Sequence, residues 1–413
     1  MHRPALALLV PLLVSLLVGA CGSADPSASP VASPASPAAT STLPATAAAT
    51  PSPTATPAPV VRALSLYSLP QADDLFRGAK VASMAGGRAG VVILGTDIAS
   101  GALISWTSAD GDGWQRHWLP GSTFGGGSPE KLLGGDFGYL AVGWRASGLQ
   151  LVDALWLSKD GLAWQPIPVD AMPEGPITGL AVGPVGIAVA VSTADGGTVV
   201  ANSTDGGSWR TTRLPGVDVG SNGLAPLPGG FLIVGSIKSL DTSGNTVSRN
   251  MAWRSRDGIA WTGDGGLARS IFGAQDSIEG WVSSPYGLTG WDVSGGISVV
   301  TAAGLQALPH APSSYGHIVG GPTALLWVAG VSLDGACSAA WQFDGAAWIP
   351  LDNVSGGLAC LDATAPIALG AAPIAGGAVV YGLLGADYRR VAWLVRSTGQ
   401  RPVGTAAGGP IPL

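Results

Sequence analysis

The chain has 413 residues, 63 of them Gly and 15 Trp, with 11% charged side chains and a net charge of −6. Gly is about twice its usual share, and charge is less than half of it. No basic patch is present, which excludes nucleic-acid binding driven by phosphate neutralisation. Gly has no three-residue period, so the chain is not collagen-like, and no heptad survives the Gly spacing, so it is not a coiled coil.

Residues Met1 to Ala20 read as a secretory signal. His2 and Arg3 form a short basic start, and the apolar run from Ala5 to Val18 is broken only by Pro11 and Ser15. It ends in Leu17-Val18-Gly19-Ala20-Cys21, which resembles the bacterial lipobox. The resemblance implies cleavage before Cys21 and a lipid anchor on that residue, each buried CH₂ contributing about 0.8 kcal/mol. An ordinary secretory signal ahead of a free Cys is the alternative. No later stretch reaches about 18 unbroken apolar residues, so the lipid is the only membrane attachment expected. The expected location is the cell envelope, outside the cytoplasm. Residues 21–60 continue as Ala, Pro, Ser and Thr, with nine prolines and one charge, Asp25. Such a segment builds no core and reads as a tether, reaching on the order of 120 Å as polyproline II.

From residue 61 to 413 the chain repeats. Ser108-Ala-Asp110-Gly111-Asp-Gly-Trp114 recurs as Ser158-Lys-Asp160-Gly161-Leu-Ala-Trp164, Ser203-Thr-Asp205-Gly206-Gly-Ser-Trp209 and Ser255-Arg-Asp257-Gly258-Ile-Ala-Trp261. A shortened copy is Phe343-Asp344-Gly345-Ala-Ala-Trp348, and worn copies stand at Thr301-Ala-Ala303-Gly304 and Ser397-Thr398-Gly399. Units near 50 residues point to a propeller. Gly-bounded apolar runs precede the copies: Gly90 to Gly95, Gly138 to Gly143, Gly230 to Gly235 and Gly377 to Gly382. They are too short for helices and read as strands. A second apolar strand leads into the motif, often with a Trp four residues before the Asp (Trp106, Trp156, Trp253), and a polar strand ending in Leu-Pro follows it. With the stretch before the run this makes four strands per unit. The expected fold is all-β: a seven-bladed propeller with four-stranded blades. Residues 62–70 look like an outermost strand with no blade before it, and they are expected to complete the seventh blade and remove its free edge.

The Ser-x-Asp-Gly-x-x-Trp repeat resembles the Asp box of sialidases and of secreted BNR-type propellers. It departs in spacing, because the usual box has one more residue between the Asp and the aromatic. The Asp carboxylate is expected to accept turn N–H groups, Gly to supply positive φ, and Trp to cover the seam. The resemblance implies that Asp110, Asp160, Asp205, Asp257 and Asp344 are structural and lie opposite any functional centre. The opposite face then consists of the loops joining second to third strands (144–153 and 236–250 among them) and those joining successive blades (121–131, 170–177 and 265–279 among them).

Candidate functional residues on that face are few. The three glutamates, Glu130, Glu174 and Glu279, all fall in blade-to-blade loops, as the two carboxylates of a glycosidase might; solvated loop acids fit equally. Arg145, Arg249, Arg389 and Arg390 are candidates for the carboxylate clamp that the sialidase resemblance implies, although its Phe-Arg-Ile-Pro motif is missing. Trp144 and Trp291 open two loops, placed either to stack on a ligand or to pack between blades. His310 and His317 lack an acid pattern, so no metal site and no cofactor are expected. Cys337 and Cys360 form an even pair in an exported chain, which suggests a disulfide closing about 23 residues and contributing roughly 3 kcal/mol; two free thiols are the alternative. Three functions stay open: a monomeric surface module binding a glycan or protein ligand through the loop face, an extracellular sialidase-like glycoside hydrolase, or an envelope scaffold or assembly factor.

Overall fold

In the computed structural model, the described residues are 64–69, 71–168, 172–274, 278–292, 294–301, 304–312, 316–321, 323–329, 340–353, 367–384 and 389–397. They form seven sheets, six of them antiparallel with four strands paired in chain order. Blades 1 to 6 span 79–118, 128–166, 177–214, 217–263, 280–308 and 316–350. Blade 7 takes 367–397 and borrows its outermost strand, Leu64–Ser68, from the N-terminal side, pairing Leu64 with Ser397 and Ser68 with Trp393. Asp352–Asn353 adds a short parallel strand outside it. The first strands of neighbouring blades touch in a closed cycle, which makes the sheets a ring about a central channel. The seven-bladed propeller with four-stranded blades, closed by the N-terminal strand, is therefore the fold.

The Gly-bounded runs are second strands, and both glycines have a steric reason. The opening Gly follows the two-residue turn from the first strand: Gly87 pairs Gly90, and Gly135 pairs Gly138. Its φ is positive, +107° at Gly90 and +124° at Gly138. The closing Gly faces a β-bulge in the first strand. Register shifts follow Val81, Pro129, Val219 and Ala368, the partners of Gly95, Gly143, Gly235 and Gly382. At Gly95, Gly143 and Gly235 a Cβ would strike the carbonyl of Lys80, Ser128 or Asp218, so only Gly lets the bulged strand close in.

The core lies in the seams between blades. Trp106, Trp156 and Trp253, the Trp four residues before each Asp, are all buried. Trp106 donates its indole N–H to the Leu75 carbonyl at 2.9 Å and packs on Phe76, 5.3 Å between ring centres. Tyr139 of blade 2 donates to the Gly90 carbonyl of blade 1 at 3.0 Å, and burial pushes its phenol up to about 12.

One element departs from the expected pattern. Residues 265–279 were expected as a loop, but Gly265–Ala274 is an α-helix. Asp264 caps it, accepting the Leu267 N–H at 2.9 Å, and holds Arg254 at 3.0 Å. Leu267, Ala268 and Ile271 pack on Ala225, Leu232, Ala252 and Leu288. The helix thus fills the seam between blades 4 and 5 beside a fourth strand of only two residues, Thr262–Gly263. The Asp cap signals this start, but Gly265-Gly266 masks it.

Candidate functional site

Strand direction sorts the turns onto two faces. The first-to-second hairpins and the Asp boxes share one face. The second-to-third connections and the blade-to-blade connections share the other, here called the loop face.

On the box face, the four full copies are one turn repeated. Asp110 Oδ1 accepts the N–H groups of Asp112 and Gly113 at 2.9 and 3.0 Å. Asp160 does so from Leu162 and Ala163, Asp205 from Gly207 and Ser208, and Asp257 from Ile259 and Ala260, all between 2.8 and 3.0 Å. The box Ser accepts the Gly N–H at 2.8 Å in every copy, and the box Trp donates to the Gly carbonyl at 2.9–3.1 Å. At Asp205, Asp257 and Asp344 the backbone N–H bonds hold the carboxyl below the usual carboxylate range. At Asp110 and Asp160 burial opposes the shift, and the same bonds outweigh it. Each box Gly touches the preceding blade: a Cβ on Gly111 would lie 2.6 Å from Val379 Cγ2, and one on Gly161 would strike Val92. The box is therefore an inter-blade spacer, and its carboxylates are consumed by their own turns.

Blade 6 varies the turn. Asp344 still accepts from Ala346 and Ala347 at 2.8 Å, but Trp348 donates to the Pro309 carbonyl instead. Gln342 replaces the box Ser, and its Oε1 accepts the Leu64 N–H at 3.2 Å, tying down the closing strand.

The channel is pinched at the box end by small residues. Gly86 and Gly134 abut each other's strands, Gly86 also meets Pro373, and Gly320 meets Ser283. The channel encloses a cavity of about 870 Å³ that runs its length, and its loop-face mouth carries Lys131, Thr178, Glu279, Trp281, Trp291 and His317. Trp281 lies across Gly290 and Trp291 across Gly280. Trp281 packs into the seam with blade 4, and Trp291 into the seam with blade 6.

The candidate residues do not converge. Glu279 lines the cavity; Glu130 and Glu174 are not among its lining residues. Glu130 is not on a loop but is the bulge residue of the first strand of blade 2, where it accepts the Trp144 indole N–H at 3.0 Å. Trp144 and Arg145 lie on the strand Gly138–Ser147, and Arg249 on Thr246–Ser255, because both hairpins run on beyond the expected loop starts. Trp291 ends the second strand of blade 5, and Arg389 and Arg390 open the third strand of blade 7. Arg390 hydrogen-bonds Tyr381. None of the four arginines lines the cavity among the described residues. Cys21, Cys337 and Cys360 lie outside the described residues. No cluster of metal-ligating side chains occurs among the described residues, and no described helix is long and apolar enough to cross a membrane.

Solved structures resemble this one at low identity. YCF48 bound to a D1 peptide is 12% identical, with a TM-score of 0.43, over 84% of this chain and 99% of that one. The sialidase of Trypanosoma rangeli in complex with the inhibitor DANA is 13% identical, with a TM-score of 0.35, over 83% of this chain and 56% of the sialidase. No protein-family model and no curated protein matches the chain.

The loop face holds what sequence reasoning missed. Of the eight large apolar side chains exposed on the described chain, seven lie there: the aliphatic Ile98, Leu149, Leu151, Leu240, Val247 and Leu369, and Trp118, the last residue of the blade 1 outer strand, with the Arg116 guanidinium over its ring. Four of them ride on two hairpins that project past their neighbours. In blades 1 and 3 the third strand begins at Leu103 and Thr198, level with the end of the fourth strand. In blade 2 that level is Leu155, which accepts the Ile167 N–H, yet the strand begins at Gln150. In blade 4 it is Ala252, which accepts from Asp264, yet the strand begins at Thr246. Counted back from the box Asp, these two third strands begin 10 and 11 residues upstream, against 7 in blades 1 and 3, so the ribbons stand about 10–14 Å above their neighbours at strand rise.

Proposed function

We propose that the chain is a lipid-anchored, extracytoplasmic module that binds a protein ligand through its loop face. The observation that carries this reading is the gathering of exposed Leu, Ile and Val on one face of the ring, two hairpins of which stand clear of the body. Exposed apolar groups so gathered mark interaction surfaces, and loops on a rigid scaffold are where binding is built. Aliphatic side chains suit a protein better than a sugar, whose faces want open aromatic rings. Trp144 and Trp291 are half-buried, the Trp144 indole N–H is already held by Glu130, and the Trp118 ring has the Arg116 guanidinium over it.

The anchor agrees with this use of the molecule. The closing strand runs antiparallel to Arg389–Ser397 and so enters at the box face. The lipid attachment is tested by mass spectrometry of membrane-extracted protein. An acylated N-terminal peptide beginning at Cys21 is expected, and release into the soluble fraction in Cys21→Ser; a free Cys21 thiol overturns the anchor.

Glycoside hydrolysis draws less support, because among the described residues lining the cavity Glu279 has no second carboxylate at the mouth. Asp136, the other acid lining it, sits at the opposite, box end of the first strands, whereas two catalytic carboxyls must lie within roughly 10 Å. Photo-crosslinkers placed at Leu149 and at Leu162 in the full chain test the reading. A protein adduct from the loop-face position alone is expected. An adduct from the box-face position alone, or turnover of a glycoside panel lost in Glu279→Gln, overturns it.

A further inference from the structure

The pairing register shows which way the two projecting hairpins face. In blade 2, Leu140, Val142, Leu155 and Leu157 pack into the seam with blade 3. The alternation of side chains continues that face outward through Trp144, Ala146, Leu151 and Asp153. Asp153 confirms the direction, since its carboxylate accepts the N–H of Ile177, the first strand residue of blade 3, at 2.8 Å. In blade 4, Ile237 and Met251 pack into the seam with blade 3. The same alternation brings Val247 and Arg249 onto that side, while Leu240 and Ser248 face blade 5. Blade 3, between them, stays low: its own connection is closed by the Thr193 N–H donating to the Gly197 carbonyl at 2.9 Å. The result is a wedge over blade 3. One wall carries Leu151 and Trp144, the other Val247, Ile237 and Arg249.

On the walls of the wedge the acids are already engaged: Asp195 is paired with Arg213, and Asp153 holds a backbone N–H. The exposed Glu174 stands on the floor, next to Gly175, which lies against the Ser192 carbonyl. Asp241, at the tip of the blade 4 hairpin, accepts the N–H groups of Ser243 and Asn245 at 2.8 Å. Arg249 has no ion-pair partner among the described residues, although its guanidinium is the charge best suited to a bidentate carboxylate.

We infer that the wedge over blade 3 is the docking site for a segment of another protein that carries aliphatic side chains and a carboxylate. The aliphatic groups bury Leu151 and Val247, and the carboxylate pairs with Arg249. This rests on the loop-face reading above and narrows it to one blade and one chemistry.

The test uses the detergent-solubilised full chain and a displayed library of random 12-residue peptides. Enriched peptides are expected to combine apolar and acidic residues. Affinity, read by fluorescence anisotropy, is expected to fall at least tenfold in Leu151→Asp, Val247→Asp and Arg249→Glu. Replacing the peptide's acid by Lys is expected to restore binding to Arg249→Glu. Val152→Asp and Leu240→Asp sit on the same hairpins but face away, and should stay within twofold. All five positions are on the projecting ribbons, so a matched thermal transition verifies that folding is unchanged. Equal losses in the outward-facing pair, or full affinity in the three wall variants, overturn the wedge while leaving the loop-face crosslinking result standing. Failure to enrich any peptide also overturns it, again without touching that result. A concentration-dependent dimer abolished by Val247→Asp assigns the wedge to a second copy and overturns the proposal too.

Discussion

The box face and the loop face are built from the same seven repeats, yet they have diverged to different degrees. On the box face, four turns keep one Ser, one Asp, one Gly and one Trp in the same hydrogen-bonded arrangement. On the loop face a small backbone turn recurs in blades 3, 4 and 5, where the N–H of Thr193, Asp241 or Asp292 donates to the carbonyl four residues on, but its setting does not: it sits low in blades 3 and 5 and atop a raised hairpin in blade 4, while blade 2 raises a hairpin of another sequence and a helix follows blade 4. The difference teaches where the fold is constrained. Each box Gly must lie against the preceding blade, so the turn cannot drift without opening a seam. On the loop face the contacts across seams are single solutions, Asp153 to the Ile177 N–H and the helix between blades 4 and 5, rather than one turn repeated, so each connection varies on its own. Repeats persist where packing reads them and are free to acquire a ligand where it does not.

The largest effect on stability is expected at the closing strand, where the ring has its only chain-end seam. Leu66 is 2% exposed and packs with Trp393, Val380 and Leu326. Leu66→Asp places a charge in that seam and should cost more than about 4 kcal/mol, from burial of an unpaired carboxylate and loss of apolar contact. Urea denaturation is the measurement. A loss under about 1 kcal/mol would mean that the propeller stays closed without this strand.

A pair of glycines breaks or sharpens the comparison more finely. Gly111 has φ +82°, and a Cβ there would lie 2.6 Å from Val379 and 2.9 Å from Leu394. Gly111→Ala should cost about 3 kcal/mol, part from the left-handed backbone and part from overpacking. Gly345, in the worn box of blade 6, has φ +105° and no atom nearer than 3.6 Å. Gly345→Ala should therefore cost only about 1–2 kcal/mol, the backbone part alone. Equal costs in urea denaturation would show that the spacer role is not what keeps the box.

Acid gives a third contrast. The box carboxyls have folded pKa values below the unfolded value of about 3.9. Their contribution is fully present above that value and is lost as pH falls through the folded ones. Stability should thus drop below about pH 4, and the drop should be shallower in Asp160→Asn. An unchanged pH slope in that variant would show that the Asp160 carboxylate is not held by its turn.

What was legible in the sequence follows the same division. The Asp-Gly-x-x-Trp turns, the glycines at both ends of each second strand and the closing strand at 62–70 could all be read, because each leaves a residue type that a fixed steric demand explains. The projecting hairpins could not. Ser236 to Asn250 is mostly polar, and its Ile237, Leu240 and Val247 are too widely spaced to make the alternating buried face by which a strand is seen, so it reads as a loop. Glu130 misled for another reason: a bulge moves a side chain by one place, and sequence spacing does not show which residue is the extra one. The apolar residues of the loop face were hidden by their scatter, since Leu149, Val247 and Leu369 come together only when blades 2, 4 and 7 share a rim.

The smallest expected effect is the most telling. Leu140 and Leu149 stand on one hairpin, the first fully buried against blade 3 and the second fully exposed at the tip. Leu140→Ser removes a packed side chain and leaves a hydroxyl in its place, which should cost about 4 kcal/mol or more. Leu149→Ser removes nothing that the folded chain buries, so its stability should stay within about 0.5 kcal/mol of the parent. Crosslinking of a protein partner from a neighbouring loop-face position should nevertheless weaken in Leu149→Ser, because the side chain it deletes has no work inside the molecule. Full crosslinking in that variant would make the tip a solvent-facing accident and return the question to the walls below it. A stability loss near that of Leu140→Ser would instead show that the tip packs on residues beyond the described ones.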